Sequence, residues 1–251
     1  MADLSGGGKM LELRNISYEV VGEDRENKEI LKDVSVTIDD HFVAITGPNG
    51  GGKSTLAKII AGIIKPTSGQ ILLDGEDITD LDITERARRG VSYAFQQPVH
   101  FKGLTVKDLI TIAAGKEMSI TEICDILSEV GLCAREYIDR EINGSLSGGE
   151  LKRIEIAMIT ARGTKLSIFD EPEAGIDLWS FSDLIEVFRK LHQKNTNAST
   201  IIISHQERII SIADEVVLLK DGSVDRIGDP SDILKTINAI STCKRIAGGE
   251  N

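Results

Sequence analysis

Residues 11–17, Leu-Glu-Leu-Arg-Asn-Ile-Ser, alternate apolar and polar positions, the period of a strand with one wet face. Residues 34–38, Val-Ser-Val-Thr-Ile, repeat the pattern. The polar run 22–28 predicts a solvated turn joining the two as antiparallel strands. Phe42–Thr46, Val91–Phe95, Leu166–Phe169 and Ile201–Ile203 are short apolar runs without alternation, which suits strands covered on both faces of a parallel sheet. Helical spacing follows the first of these from about Lys53 to Ile63, and recurs from Leu178 to Gln193. Strand–helix alternation of this kind predicts an α/β fold. The stretch from about 97 to 163 differs. Leu104–Ala114, Ile120–Val130 and Glu150–Arg162 all carry helix-period spacing with no strand pattern between them. They predict a helical subdomain inserted into the α/β core. The organisation expected is a flexible lead-in over 1–9, one domain over 10–240 and a polar tail over 241–251.

With 251 residues and 41% hydrophobic content, the chain is long enough to bury a core without disulfides or a structural metal. No apolar run approaches the roughly 18 residues of a membrane span, and the first residues lack the apolar stretch of a secretory leader. The net charge of −11 argues against wrapping nucleic acid and against unaided binding to anionic lipid, so any membrane role would go through a partner. Cys124, Cys133 and Cys243 form no C-x-x-C pair, which points to reduced thiols and a cytoplasmic setting. Cys124 and Cys133 lie in apolar helical sequence and are expected to fill the core. Cys243, in the polar tail, is either an ordinary thiol or one with a metal or sulfur role.

The candidate chemistry starts at Gly47-Pro48-Asn49-Gly50-Gly51-Gly52-Lys53-Ser54-Thr55. It fits G-x-x-x-x-G-K-[ST] between an expected strand and an expected helix, the context that motif requires. Glycines let backbone N–H groups turn inward on phosphate oxygens, and the following helix aims its positive end at the same anion. Lys53 is placed to reach the β- and γ-phosphates of a nucleotide, and the Ser54 hydroxyl to ligate Mg²⁺. Further along, Leu146-Ser147-Gly148-Gly149-Glu150 opens a helix, a second anion-binding device whose plainer reading is a helix cap. Leu166-Ser-Ile-Phe-Asp170-Glu171-Pro172 is an apolar strand ending in two acids, suited to metal and water handling at a phosphate. Ile201-Ile-Ile-Ser204-His205 puts an imidazole at another strand end.

In this order the motifs resemble the ABC ATPase family over about residues 11–235. The resemblance implies a P-loop, RecA-like, mostly parallel sheet core with an antiparallel β subdomain and an inserted helical subdomain. It implies binding and hydrolysis of ATP with Mg²⁺. It assigns Gly47 to Thr55 as the Walker A loop, Gln96 (with Gln97 the neighbouring alternative) as the Q-loop residue, and Ser147, Gly148 and Gly149 as the signature. Asp170 becomes the Walker B acid, Glu171 the catalytic glutamate, Glu173 to Asp177 the D-loop and His205 the switch histidine. Lys53, Glu171 and His205 would then be catalytic, while Ser54, Gln96 and Asp170 would hold Mg²⁺. A head-to-tail dimer follows, each ATP lying under the signature of a second copy. The position that usually stacks on adenine aligns with Val20. Tyr18, two residues earlier, either substitutes for it or packs in the sheet.

Some residues depart from the common transporter pattern and resemble the SufC group of iron–sulfur assembly ATPases. These are Ala94-Phe-Gln-Gln-Pro98, Leu146 to Glu155, Asp170 to Asp177 and His205-Gln-Glu-Arg208. That resemblance implies a soluble SufB- or SufD-type scaffold as partner, docking near residues 96–115. The ATP-binding subunit of a membrane transporter is the alternative, and a nucleotide-gated interaction module with little turnover is a third reading. Intact Glu171 and His205 weigh against the third. A DNA-repair ATPase is disfavoured by the acidic charge and the lack of a long coiled coil.

Overall fold

The computed structural model describes residues 10–21, 27–39, 42–97, 101–142, 145–194 and 198–247. The lead-in over 1–9, most of the expected turn over 22–28, Pro98 and the Cys243 side chain lie outside the described residues. The chain divides into two compact units, one of residues 1–83 with 203–251 and one of residues 84–202.

The first unit opens with β1 (Leu11–Val21) and β2 (Asn27–Ile38), paired antiparallel from Leu11 opposite Ile38 to Val21 opposite Asn27. Leu11 and Leu13 are buried as the alternation requires, and then the register slips. Asn15 at φ 52° and Asp33 at φ 50° take the left-handed conformation, and Asn15 Nδ2 donates to Asp33 Oδ1 at 2.6 Å. This irregularity returns Ile16 to the core in place of Asn15. All five residues of β3 (Phe42–Thr46) are buried, as a strand covered on both faces must be. Then come α1 (Lys53–Ile60), β4 (Ser68–Leu73) and β5 (Glu76–Asp77). The helix stops at Ile60 rather than Ile63 because Gly62, at φ 78°, turns the chain. β4 pairs antiparallel with β1, giving a sheet of order β2-β1-β4-β5.

α2 (Ile83–Arg88) leads into the second unit. Its elements are β6 (Val91–Ala94), α3 (Val106–Ala114), α4 (Ile120–Glu129), α5 (Ala134–Tyr137), α6 (Gly148–Arg162), β7 (Leu166–Asp170), α7 (Leu178–Lys194) and β8 (Ser199–Ile203). β6 runs parallel to β7 with Val91 opposite Leu166, in the order β8-β7-β6. Among the described residues no strand interrupts α3 to α6, and one isolated bridge joins Thr105 to Glu141. Three of these helices start at capping boxes, Thr105 with Asp108, Ser119 with Glu122 and Ser147 with Glu150. In each, the hydroxyl accepts from the third helical N–H and the acid accepts from the capping residue's own N–H. The cysteines correct one expectation. Ile123 and Leu127 take the buried stripe of α4, leaving Cys124 half-buried, and Cys133 is exposed ahead of α5.

The chain returns to the first unit with α8 (Glu207–Ile210), β9 (Glu215–Lys220), β10 (Ser223–Gly228) and α9 (Pro230–Ala247). β9 pairs parallel with β3, Thr46 opposite Leu218, and antiparallel with β10. The architecture is the α/β one the sequence predicts, with parallel pairing at the glycine loop, a separate antiparallel sheet and a helical stretch.

Candidate active site

In the first unit, β3 delivers the glycine loop and α1 closes it. Gly47 sits at φ 140°, and a Cβ there would lie 1.8 Å from the Leu219 carbonyl oxygen on β9, so only glycine lets the loop leave the strand on this path. The loop tightens through Gly51 N–H donating to Pro48 O at 3.1 Å, and α1 begins with Leu56 N–H donating to Gly52 O at 2.8 Å. Lys53 is 5% exposed. Its ammonium curls back to donate to the Gly47 and Pro48 carbonyls, each at 2.9 Å. Ser54 and Thr55 follow on the first turn of α1, both partly accessible.

His205 belongs to the same unit. Ser204 is fully buried and its N–H donates to Ile45 O of β3 at 3.2 Å, while its hydroxyl accepts from Gln206 N–H at 3.0 Å. These bonds fix the exposed His205 at the strand end. Gly47, Pro48 and His205 line one cavity of about 390 Å³. The structure thus brings the loop and His205 together.

In the second unit, β7 ends at Asp170, 3% exposed, whose Oδ2 accepts from the Tyr93 hydroxyl on β6 at 2.7 Å. Burial and the Asp170 carboxylate push the Tyr93 phenol far above its ordinary range, so it stays a donor. Glu171 follows at φ 46°, and its Oε2 accepts from Gln96 Nε2 at 2.7 Å. Gln96, not Gln97, is the glutamine joined to the acid pair by a resolved bond. The signature residues open α6, with Ser147 as its cap. Ser147 N–H donates to Glu150 Oε2 at 2.6 Å, and Glu150 also accepts from the Tyr137 hydroxyl. Burial works against the charge of Glu150, but the bonds from Tyr137 and Ser147 hold its carboxyl below its usual value. A capping acid or amide serves in this position, and here the acid is Glu150. A Cβ on Gly149 would lie 2.6 Å from Ser180 Cβ, so the first turns of α6 and α7 touch through that glycine. Asp177 caps α7, accepting from Trp179 N–H and Ser180 N–H at 3.0 Å each.

Two positioning residues escaped the sequence reading. Tyr93 looked like one more apolar residue of a buried strand. Lys152, 2% exposed, donates from α6 to Phe95 O and pairs with Glu155 at 3.0 Å. A charge inside the apolar stripe Leu151, Ile154, Ala157 was the available signal. Tyr18 and Val20 are both half-buried on β1 with the exposed Glu19 between them, and the shift in pairing between Tyr18 and Glu19 skips Ile30 on β2.

A glycine loop on a buried parallel strand, a lysine folded into it, a strand-end acid pair and a capped Ser-Gly-Gly helix start define a P-loop nucleotide hydrolase with a signature helix. The chain belongs to the ABC transporter family of ATP-binding domains, whose model matches residues 31–174, and it is an ATP hydrolase. It is 41% identical to an uncharacterized ABC transporter ATP-binding protein of Methanocaldococcus jannaschii, over 89% of this chain and 92% of that one. It is 34% identical to an energy-coupling factor transporter ATP-binding protein of Caldanaerobacter subterraneus subsp. tengcongensis, over 82% and 74%. Among solved structures it resembles a dimeric ATP-binding cassette in a post-hydrolysis state bound to ADP and Pi, with 27% identity, a TM-score of 0.76, and coverage of 88% and 99%. These relatives do not support the resemblance to the SufC group, since the two curated ones are named as transporter ATP-binding proteins.

Proposed function

We propose that this chain is the ATP-hydrolysing subunit of a membrane transporter, working at the cytoplasmic face as a head-to-tail pair of cassettes. The observation that carries the partner reading is the exposure of apolar side chains along the stretch that holds the Q-loop glutamine: Phe95 at 41%, Phe101 at 37% and Ile112 at 63%. Phe95 directly precedes Gln96, which holds Glu171. A partner seated there would sense the state of the acid pair. The kinship with transporter ATP-binding proteins supports a membrane-embedded partner, and the dimeric cassettes support the pairing.

Chemically, ATP phosphates enter the loop, and the Lys53 ammonium exchanges its carbonyl partners for β- and γ-phosphate oxygens. The hydroxyl, carboxylate and amide oxygens of Ser54, Asp170 and Gln96 are the hard donors Mg²⁺ prefers, and the ion would neutralise charge on the β- and γ-oxygens. Glu171 takes a proton from the attacking water. His205, exposed at its strand end, contacts the γ-phosphate. The partner's Ser147, the partner's Gly148 and the partner's Gly149 cover the nucleotide.

Two experiments test this. Lys53→Ala should abolish turnover, and Glu171→Gln should bind ATP without cleaving it; normal hydrolysis by either would refute its assigned role. Detergent extraction and affinity capture of the native complex should yield a protein with several membrane spans. Recovery of a soluble β-helical scaffold would instead favour a second reading, a SufB- or SufD-type partner in iron–sulfur assembly. That reading rests on the strings Ala94 to Pro98, Leu146 to Glu155, Asp170 to Asp177 and His205 to Arg208.

A further inference from the structure

Every large aromatic residue costs solubility when exposed, and the protein's single tryptophan is 86% exposed. Trp179 stands with Leu178, itself 73% exposed, on the first turn of α7. That turn is fixed by Asp177 and abuts Gly149 through Ser180. An apolar knob therefore stands beside the exposed Ser147 and Gly148.

The first unit holds a matching cavity. The space of about 390 Å³ behind Pro48 and His205 is walled by Ile210, Leu218, Leu234 and Ile237. It is mainly apolar, and Glu207, Lys220 and Asp225 also line it; a carboxylate can accept an indole N–H. It suits an aromatic side chain, which buries about 150–250 Å² and needs one polar partner.

From this knob and this hole we infer that Trp179 of each copy inserts into the Pro48–His205 cavity of the other, anchoring the ATP-bound pair. The inference rests on the head-to-tail reading above. Knob and hole lie beside opposite halves of the composite site, so a pairing that sets one copy's signature over the other's glycine loop also brings them together. Two-fold symmetry then uses the contact twice. Charge makes such an anchor useful. Each copy carries −11, so association works against repulsion, and a desolvated tryptophan is the side chain most often found to dominate an interface.

The test uses the full-length Glu171→Gln variant with ATP and Mg²⁺, reading mass by light scattering and Trp179 by its emission. The mass should double, the emission should shift to shorter wavelength, and quenching by acrylamide should fall. Trp179→Ala and Ile237→Arg, each in that background, should weaken the pair about tenfold or more. Mixing these two should restore part of the association, because the mixed pair keeps one intact knob and hole, and simple misfolding of either variant would not give that recovery. A doubled mass with unchanged emission, or an emission shift that survives Ile237→Arg, would overturn the inference while leaving the dimer standing. No doubling in any variant would overturn the dimer reading and this contact with it.

Discussion

Lys152 offers the sharpest test of how the second unit is held together. Its ammonium donates to Phe95 O and pairs with Glu155, while Glu155 accepts from Phe95 N–H. The pair thus clamps both backbone groups of the residue before Gln96. Lys152 is 2% and Glu155 19% exposed at the side chain, so removing one partner strands a buried charge. Lys152→Met keeps the apolar stem and deletes the ammonium. Breaking a buried pair from one side costs about 3–5 kcal/mol, and the residual exposure of Glu155 places this case near the lower end. For a chain of this size that corresponds to a fall in Tm of roughly 6–12 °C.

The sign of the pH dependence follows from Glu155. Burial pushes its carboxyl above the ordinary range, against the pull of Lys152 and the Phe95 N–H. Without Lys152 the folded-state value rises further. A carboxyl with a raised folded-state pKa binds its proton more tightly when folded, so stability is lost as pH rises through that value and regained on acidification. The deficit of Lys152→Met should be largest near about pH 8 and shrink toward about pH 5. Glu155→Gln added to Lys152→Met removes the stranded charge but keeps an acceptor for Phe95 N–H, and should recover most of the loss. Calorimetry of the three proteins at both pH values decides the matter. An equal deficit at both, or a double variant no more stable than the single, would refute the clamp.

Tyr93→Phe removes the phenol that orients buried Asp170. A hydrogen bond to a charged group contributes about 1.5–3 kcal/mol, so the Mg²⁺ needed for half-maximal turnover should rise roughly tenfold to a hundredfold. An unchanged Mg²⁺ titration would separate Asp170 from the metal. Gly149→Ala drives a Cβ to 2.6 Å from Ser180 Cβ, an overpacking that costs about 1–3 kcal/mol. ATP binding, read by fluorescent-nucleotide titration, should persist while ATP-driven pairing fails. Adding Ser180→Gly should restore pairing, and failure of that rescue would show that Gly149 is needed for something other than its contact with Ser180.

What the sequence made legible divides along a physical line. The glycine loop, the Asp170–Glu171 pair, Ser147 to Gly149 and His205 are short strings whose chemistry depends on neighbours a few residues away, and each falls on the element its pattern predicts. β3 and β7 were read because burial of all five positions on both faces leaves runs dominated by apolar residues, without alternation. β4 and β10 were not, because strands with exposed faces carry polar residues and their pairing comes from distant partners. β4 needs Arg14 opposite Gln70, and β10 needs Val224 opposite Leu219. The cysteines misled for a related reason: an apolar helical context does not say which side of α4 is covered at Cys124, and Cys133 stands at the cap ahead of α5.

The same distinction applies inside the active site. Residues that touch nucleotide must be local to a loop or strand end, because they act at a point, and so they form recognisable strings. Residues that hold those strings in place act across the fold. Tyr93 reaches Asp170 over 77 positions, Gln96 reaches Glu171 over 75, and Lys152 reaches Phe95 over 57. No window of sequence contains both ends of such a bond. Substituting the local residues should therefore abolish turnover outright. Substituting the long-range ones should change metal requirement, stability and pairing first, with loss of turnover following from those.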